Sequence, residues 1–429
     1  MKISISGVRG IYGKDLSTKS IFELCTNFST LIKSRKCVIA RDTRPTGRMI
    51  LDNVSAVLME NGVDVYNLGI APTPVVFREA KKYGAGVIIT SSHNPIESNG
   101  LKFILEGRGI NEDELDIVKT KQITKKEKFG QEILIESDYI SEASQVIGNV
   151  KNNPEVTVDI GGGAAKDTVP KLLTKIGCKV KIINEYLENS TRGPDPTSDD
   201  LSTLIKNTKK IGFAFDLDSD RMVIVSGGRK RSPDLTLGLG IVKAIQLGYK
   251  KFVLSTDSSS AIEKYIIQHN CQVLRSKVGE ANVMQEIMSN NADAGGEGSS
   301  GGFILPKFTM CRDGILTSGL VASMLDQEEF HDAIDFFEKY FQLRTKISIP
   351  VHAHNSTIER LKEKMNGKYE MSLLDGIKIK IDDESWALIR KSNTEDIIRL
   401  SLESNNIDFL KEKQIEMTNL VNESYEEIK

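Results

Sequence analysis

The run Cys37-Val38-Ile39-Ala40 (CVIA) is echoed at Glu155–Ile160 (EVTVDI) and again at Lys251–Ser255 (KFVLS), and this echo decides the fold. Each run has the length of a buried strand. Each is followed by a helix-like segment and a small turn into a second strand, at Asn61 (NGVDVYNL), Ile176 (IGCKVKII) and His269 (HNCQVLRS). After a further segment each unit reaches a third strand: GVIIT ending at Thr90, IGFAF ending at Phe215 and ADAGG ending at Gly296. Strands alternating with helical segments indicate parallel strands joined by right-handed crossovers. The pattern predicts three similar α/β domains with mixed, mainly parallel sheets, over residues 1–150, 151–248 and 249–341. From about Gln342 the character changes: strand-like segments at Leu373–Ile381, Ser385–Arg390 and Ile397–Glu403 precede a helical pattern from Ile407 to about Glu426. This predicts a smaller α+β domain over 342–429.

The loops after the three third strands read SSHNP, DLDSDR and GEGSSGG. Open parallel sheets place ligand sites outside the carboxyl ends of their strands, so three related domains direct these loops at a common central cleft. Bulk properties narrow what enters it. A chain of 429 residues exceeds what one hydrophobic core organises. Lys plus Arg number 57 against 59 Asp plus Glu, a net charge of -2, which lacks the basic excess of a nucleic-acid binder. An anionic substrate must therefore be drawn by local groups. Cys25, Cys37, Cys178, Cys271 and Cys311 are scattered and odd in number, unlike a disulfide framework or a zinc site. The start, Met1 to Gly13, lacks a charged segment followed by an apolar run, and no stretch approaches membrane-spanning length. The expectation is a cytoplasmic protein with neither nucleic acid nor membrane as partner.

Asp216-Leu217-Asp218-Ser219-Asp220-Arg221 carries the strongest chemical signal. Alternate residues of an extended segment point the same way, so three carboxylates converge on one hard cation, and oxygen ligands favour magnesium over zinc. Thr90-Ser91-Ser92-His93-Asn94-Pro95 sets small hydroxyl residues at the end of a buried strand; by itself it reads as a capped turn. Arg390-Lys391-Ser392-Asn393-Thr394-Glu395, with Arg399 on the next strand, suits a phosphate dianion gripped by arginine, or an ordinary polar hairpin. Gly295–Gly302 holds Glu297, Ser299 and Ser300 among glycines that allow close backbone approach to a ligand, and it lacks the ending of a phosphate-cradling loop. Gly7-Val8-Arg9-Gly10, Arg41-Asp42-Thr43-Arg44 and Asn99-Gly100-Leu101-Lys102 add cations to the first domain.

Taken together, GVRG, ARDTRPTG, TSSHNP, DLDSDR, GEGSSGG and RKSNTE resemble, in order, the motifs of the α-D-phosphohexomutase family over nearly the whole chain. The resemblance implies a phosphotransferase that interconverts hexose 1- and 6-phosphates, of glucose, mannose or glucosamine, through a hexose 1,6-bisphosphate that also serves as activator. It implies that Ser92 carries the phosphoryl group and completes the Mg2+ shell of Asp216, Asp218 and Asp220. Arg9 and Lys102 would steady the group in flight, and Arg221 and Lys277 would line the cleft. Glu297 and Ser299 would bind ring hydroxyls. Arg390, Ser392, Asn393, Thr394 and Arg399 would hold the phosphate that does not react. Many members have a Gly-His pair after the specificity-loop serine; here the chain runs Ser300-Gly301-Gly302, so Lys102, then Lys277, become the candidates for proton transfer. The loop is slightly long, which makes Ser300 a rival to Ser299. Lys391 and Asp396 stand where proline is frequent, and Ser91 where alanine is. The residues alone also admit a metal-dependent sugar phosphatase with an aspartate nucleophile, or a phosphosugar-binding protein without turnover.

Overall fold

The computed structural model of the chain describes residues 1–120, 128–392 and 395–429. Three sheets repeat one arrangement of four strands. In the first, Asp64–Ile70, Lys36–Arg41, Ala85–Ile89 and Ser98–Leu105 lie side by side in that order. The second has Lys179–Ile183, Glu155–Asp159, Ile211–Phe215 and Met222–Ser226, and the third Gln272–Ser276, Lys251–Ser255, Ala294–Glu297 and Gly302–Ile304. The first three strands of each set are parallel, as the echo in the sequence requires. The fourth runs antiparallel to the third, which makes every sheet mixed. The fourth strands escaped the sequence reading because no helix-sized spacer precedes them. Each ligand loop is therefore the turn of a hairpin, held between two paired strands and more tightly constrained than a strand-to-helix crossover.

Helix Pro233–Gln246, just before the joint expected near Tyr249, packs both on Met222–Ser226 of the second sheet and on Ala294–Glu297 and Gly302–Ile304 of the third. Gly240 lets it approach: a Cβ there would lie 2.5 Å from the Phe303 ring. Helix Gly314–Ala322 in turn crosses back onto helix Thr168–Lys175 and strand Met222–Ser226 of the second domain. Phe77, Tyr139, Phe213, Phe252 and Phe303 consequently belong to one continuous apolar core spanning the three α/β units. Burying this shared surface holds the three hairpin loops at fixed separation.

The last domain has a separate core built on Ile347, Ile377, Ile389, Leu400 and Met417. Its five antiparallel strands lie in the order Phe341–Ser348, Ile397–Ser404, Trp386–Lys391, Ile377–Lys380, Glu370–Ser372. Helix Ile407–Glu426 starts where Asn406 Oδ1 accepts the amides of Asp408 and Phe409 at 3.0 and 3.1 Å, and it packs on Phe341–Ser348 and Ile397–Ser404. Among the described residues no helix is long and apolar enough to cross a membrane.

This domain meets the third through polar groups. Trp386 Nε1 and the Ser260 amide both donate to Glu403 Oε1, and Lys378 Nζ donates to the Thr256 carbonyl at 2.7 Å while lying 4.1 Å from the Trp386 ring centroid. Burial, with Arg275 adding to it and Glu403, Glu263 and Asp257 opposing, pushes the Lys378 ammonium down to about 7 from its ordinary 10.5. Between those values the unfolded chain binds more protons than the folded one, so this contact gains strength as pH rises through the window and is weakest below about pH 7. Thermal unfolding followed from pH 6.5 to pH 9 should show this gain, at about 1.4 kcal/mol per pH unit at most. Lys378→Met, which keeps the apolar contact with Trp386, should flatten that part of the profile; an unchanged slope would refute the assignment.

Candidate active site

The serine loop is built around a buried ion pair. Asp42 and Arg44 are both fully buried, with Nε 3.0 Å from Oδ2. The Thr90 hydroxyl donates to the same Asp42 oxygen at 2.6 Å. Arg44 then donates to four carbonyls of the loop, those of Ser92 and Asn94 at 2.7 Å, Ser98 at 2.7 Å, and Pro95. This grip accompanies an unusual backbone: Ser92 has φ +51, the left-handed region that side chains other than glycine's seldom enter. The result points Ser92 Oγ at Asp216 Oδ2, to which it donates at 2.6 Å. Ser91 is turned away and accepts from Asn94 Nδ2 at 3.0 Å.

The three aspartates converge, though by a different route from strand alternation. Residues 216–220 form a turn in which the Ser219 amide donates to the Asp216 carbonyl at 3.1 Å and Ser219 takes φ +58. An extended segment cannot occupy a hairpin end, so curvature of the turn, rather than period two, gathers the carboxylates. Asp216, Asp218 and Asp220 are fully buried, with ligand oxygens all within 4.8 Å of one another. One face of the cluster is already satisfied by protein. Lys102 Nζ donates to Asp218 Oδ2 and Asp220 Oδ2, each at 2.9 Å; Thr73 Oγ1 donates to Asp218 at 2.6 Å, and Arg312 Nη2 to Asp220 at 2.8 Å. The other oxygens, Asp218 Oδ1 and Asp220 Oδ1, are buried without a partner. Burial and its two neighbours also hold the Asp216 carboxyl well above the usual range. Orphaned oxygens and mutual repulsion are what a divalent cation would relieve, so the residues fit one.

Lys102 was the leading candidate for proton transfer, and its surroundings speak against that. Burial lowers its pKa, but Asp218 and Asp220 outweigh burial and hold it well above its ordinary value. With two of its three N–H groups on carboxylates it is a fixed cation. Arg9 lies in the field of Asp218 and Asp220. Arg221 donates its amide to Asp216 Oδ1 at 3.1 Å and places Nη1 3.8 Å from Asp195. His93 Nδ1 lies 3.4 Å from Ser92 Oγ, and burial together with Arg221 pushes the imidazole down to about 3, keeping it neutral at physiological pH.

Lys277, Ser299, Arg390, Ser392 and Arg399 line one cleft of about 1270 Å3 between the third and last domains, which Ile5 and Glu112 of the first domain also border. Lys277 also borders an adjoining cavity of about 800 Å3 lined by Lys102 and Glu280, on the side of the aspartates. Ser300 is buried and donates to the Glu297 carbonyl at 3.2 Å, so of the two rivals Ser299 faces the cleft. Glu297 is buried too, and both its oxygens are taken, Oε1 by the Gly279 amide and Oε2 by Arg312, each at 2.8 Å. In the phosphate loop Arg390 faces Asp375 at 3.4 Å and Arg399 pairs with Glu395. Asn393 and Thr394 lie outside the described residues.

Four contributors went unnoticed in the sequence as site residues. Thr73, Asp195 and Arg312 carry no local signal, since only the packing of domains delivers them. Arg44 stands in a motif that the sequence marks only as adding cations to the first domain.

Comparison with known proteins identifies the family. Residues 1–131, 137–228 and 234–340 match the family models described as phosphoglucomutase/phosphomannomutase alpha/beta/alpha domains I, II and III. A phosphoglucosamine mutase of Methanococcus vannielii is 32% identical over 98% of this chain and 99% of its own. A phosphoglucomutase/phosphomannomutase of Thermococcus kodakarensis is 32% identical over 93% of each chain. A solved phosphoglucomutase/phosphomannomutase family protein from Burkholderia thailandensis superposes with TM-score 0.84, covering 99% of this chain and 98% of its own at 20% identity, a likeness of fold. The chain belongs to the phosphoglucomutase/phosphomannomutase family, the α-D-phosphohexomutases.

Proposed function

We propose that this chain is a hexose-phosphate mutase in which a phosphorylated Ser92 exchanges its phosphoryl group with a hexose 1- or 6-phosphate. The observation that carries the reading is Ser92 Oγ, 2.6 Å from Asp216 inside a cluster with two unpartnered carboxylate oxygens. Asp216, Asp218 and Asp220 would hold Mg2+, which when bound supplies positive charge against the phosphoryl oxygens. Three carboxylates and a phosphate of about -2 exceed one divalent cation by about three charges, which Lys102, Arg9 and Arg312 offset. Such charge balance and positioning supply most of the acceleration in phosphoryl transfer.

The donor step breaks the Ser92 O–P bond and forms a bond from phosphorus to the free sugar hydroxyl; the hydroxyl's proton is lost and Ser92 Oγ, the leaving oxygen, takes one up, so the step is proton-neutral. The bisphosphate then reverses end for end, and its other phosphate returns to Ser92. A cleft of about 1270 Å3 is larger than the usual ligand pocket and suits a substrate that must turn over inside it. Arg390, Ser392 and Arg399, with Asn393 and Thr394 in the same loop, would grip whichever phosphate is not reacting. Asp375 and Glu395 occupy the two arginines meanwhile, so an arriving dianion replaces a carboxylate at each.

The test is a mutase assay on the 1-phosphates of glucose, mannose and glucosamine, with Mg2+ and a hexose 1,6-bisphosphate, products resolved by phosphorus NMR. Conversion to 6-phosphate with transient label on Ser92 is expected for at least one sugar. Release of inorganic phosphate alone would favour a phosphatase, and binding without conversion of any sugar would leave only a phosphosugar-binding protein.

A further inference from the structure

Arg312 sits between the aspartate cluster and the sugar-facing loops and touches both. Nη2 donates to Asp220 Oδ2 and Nη1 to Glu297 Oε2, each at 2.8 Å, while Nε lies 2.9 Å from Glu280 Oε2. The position depends on a glycine: a Cβ at Gly302 would lie 2.2 Å from Arg312 Cδ, so a side chain there and the guanidinium exclude each other. Contacts continue beyond Glu297. Its Oε1 accepts the Gly279 amide at 2.8 Å, and the adjacent Val278 amide donates to Asp375 Oδ2 at 3.0 Å. That Asp375 oxygen also faces Arg390 of the phosphate loop at 3.4 Å. An unbroken polar chain thus runs from the cluster to the phosphate loop, with Arg312 as its first link.

We propose that Arg312 is a positioning residue that couples cation binding at the aspartates to the state of Glu297 and the sugar-facing loops; this rests on the role proposed above for Asp220 and on the sugar-binding role that the family resemblance implies for Glu297. The guanidinium holds Asp220 by one oxygen and leaves the other, Oδ1, without a partner, so that oxygen would be available to a cation. Two separate nitrogens of one planar fork serve the two carboxylates; a lysine at the same place keeps the charge but has a single nitrogen that cannot occupy both positions. With Glu297 neutralised, Nη1 loses its charged anchor and Nη2 is no longer held against Asp220 Oδ2, so the carboxylate that faces the cation is less well positioned. Whatever raises Glu297's hold on Arg312, substrate included, tightens cation binding, and linkage makes the effect reciprocal.

The probe is Mn2+, its affinity read by electron paramagnetic resonance on the full chain without turnover. Arg312→Lys and Glu297→Gln should each weaken Mn2+ binding about tenfold or more, the size expected when a partner of a metal-ligating carboxylate is lost. The double variant should bind no more weakly than Arg312→Lys alone, because the link is already cut. Gly302→Ala, which displaces the guanidinium without altering any charge, should reproduce the Arg312→Lys affinity and likewise erase the effect of Glu297→Gln. Unchanged Mn2+ affinity in Gly302→Ala, or effects of Arg312→Lys and Glu297→Gln that multiply, would overturn the proposal. A chain inactive on every hexose phosphate yet showing the non-additive pattern fails the mutase reading alone.

Discussion

Ser92→Ala should lower hexose-phosphate interconversion by about four orders of magnitude or more, the scale at which removal of a nucleophile acts. The fold should survive, because alanine gives up one hydrogen bond, that from Oγ to Asp216, worth about 1 kcal/mol. Intact mass of protein incubated with hexose 1,6-bisphosphate should show one added phosphate in the wild type and none in the variant. The neighbouring hydroxyl offers no rescue. Ser91 Oγ is engaged by Asn94 Nδ2 on a loop whose carbonyls Arg44 fixes. A phosphorylated Ser92→Ala protein, or one with more than about a hundredth of wild-type activity, would place the phosphoryl carrier elsewhere.

Arg44→Met should cost about 3–5 kcal/mol of stability, as breaking a buried pair from one side leaves a buried charge without its partner. The side chain is fully buried, and its loss strands Asp42 together with the carbonyls of Ser92, Asn94, Pro95 and Ser98. Activity should fall further than stability alone explains, because Ser92 at φ +51 is then left with the bond from its amide to Thr90 Oγ1 and loses the clamp on the carbonyls around it. Adding Asp42→Asn should recover part of the stability, since it removes the stranded charge, and little of the activity, since the carbonyls remain unserved. Chemical denaturation and steady-state kinetics on the two single variants and the double variant would show this. An Arg44→Met protein with wild-type kinetics would mean that the loop is held by other contacts.

The division between what could and could not be read follows from range. Alternating apolar runs exposed the parallel strands, since a strand buried on both faces announces itself locally. Helix Ile407–Glu426 was legible for the same reason, through its own period. The antiparallel fourth strands were not, because a hairpin needs no long spacer and the loop residues read as turns. The aspartates were legible by spacing while the reason given was wrong: they meet through the turn at Ser219.

Sequence by itself determined the order of the units, the three loops that follow the third strands and the residue types in them, because covalent neighbours carry those signals. It also identified Ser92 and the three aspartates as belonging together, through six motifs in one order. Only the tertiary structure decided what each charge does. Lys102 is fixed between Asp218 and Asp220, Ser299 rather than Ser300 faces the cleft, and Arg312 lies in the space that Gly302 leaves open. The physical reason is that a charged group's role depends on its partners and its burial, and here those partners come from another domain. No local pattern records which distant carboxylate a buried cation will meet.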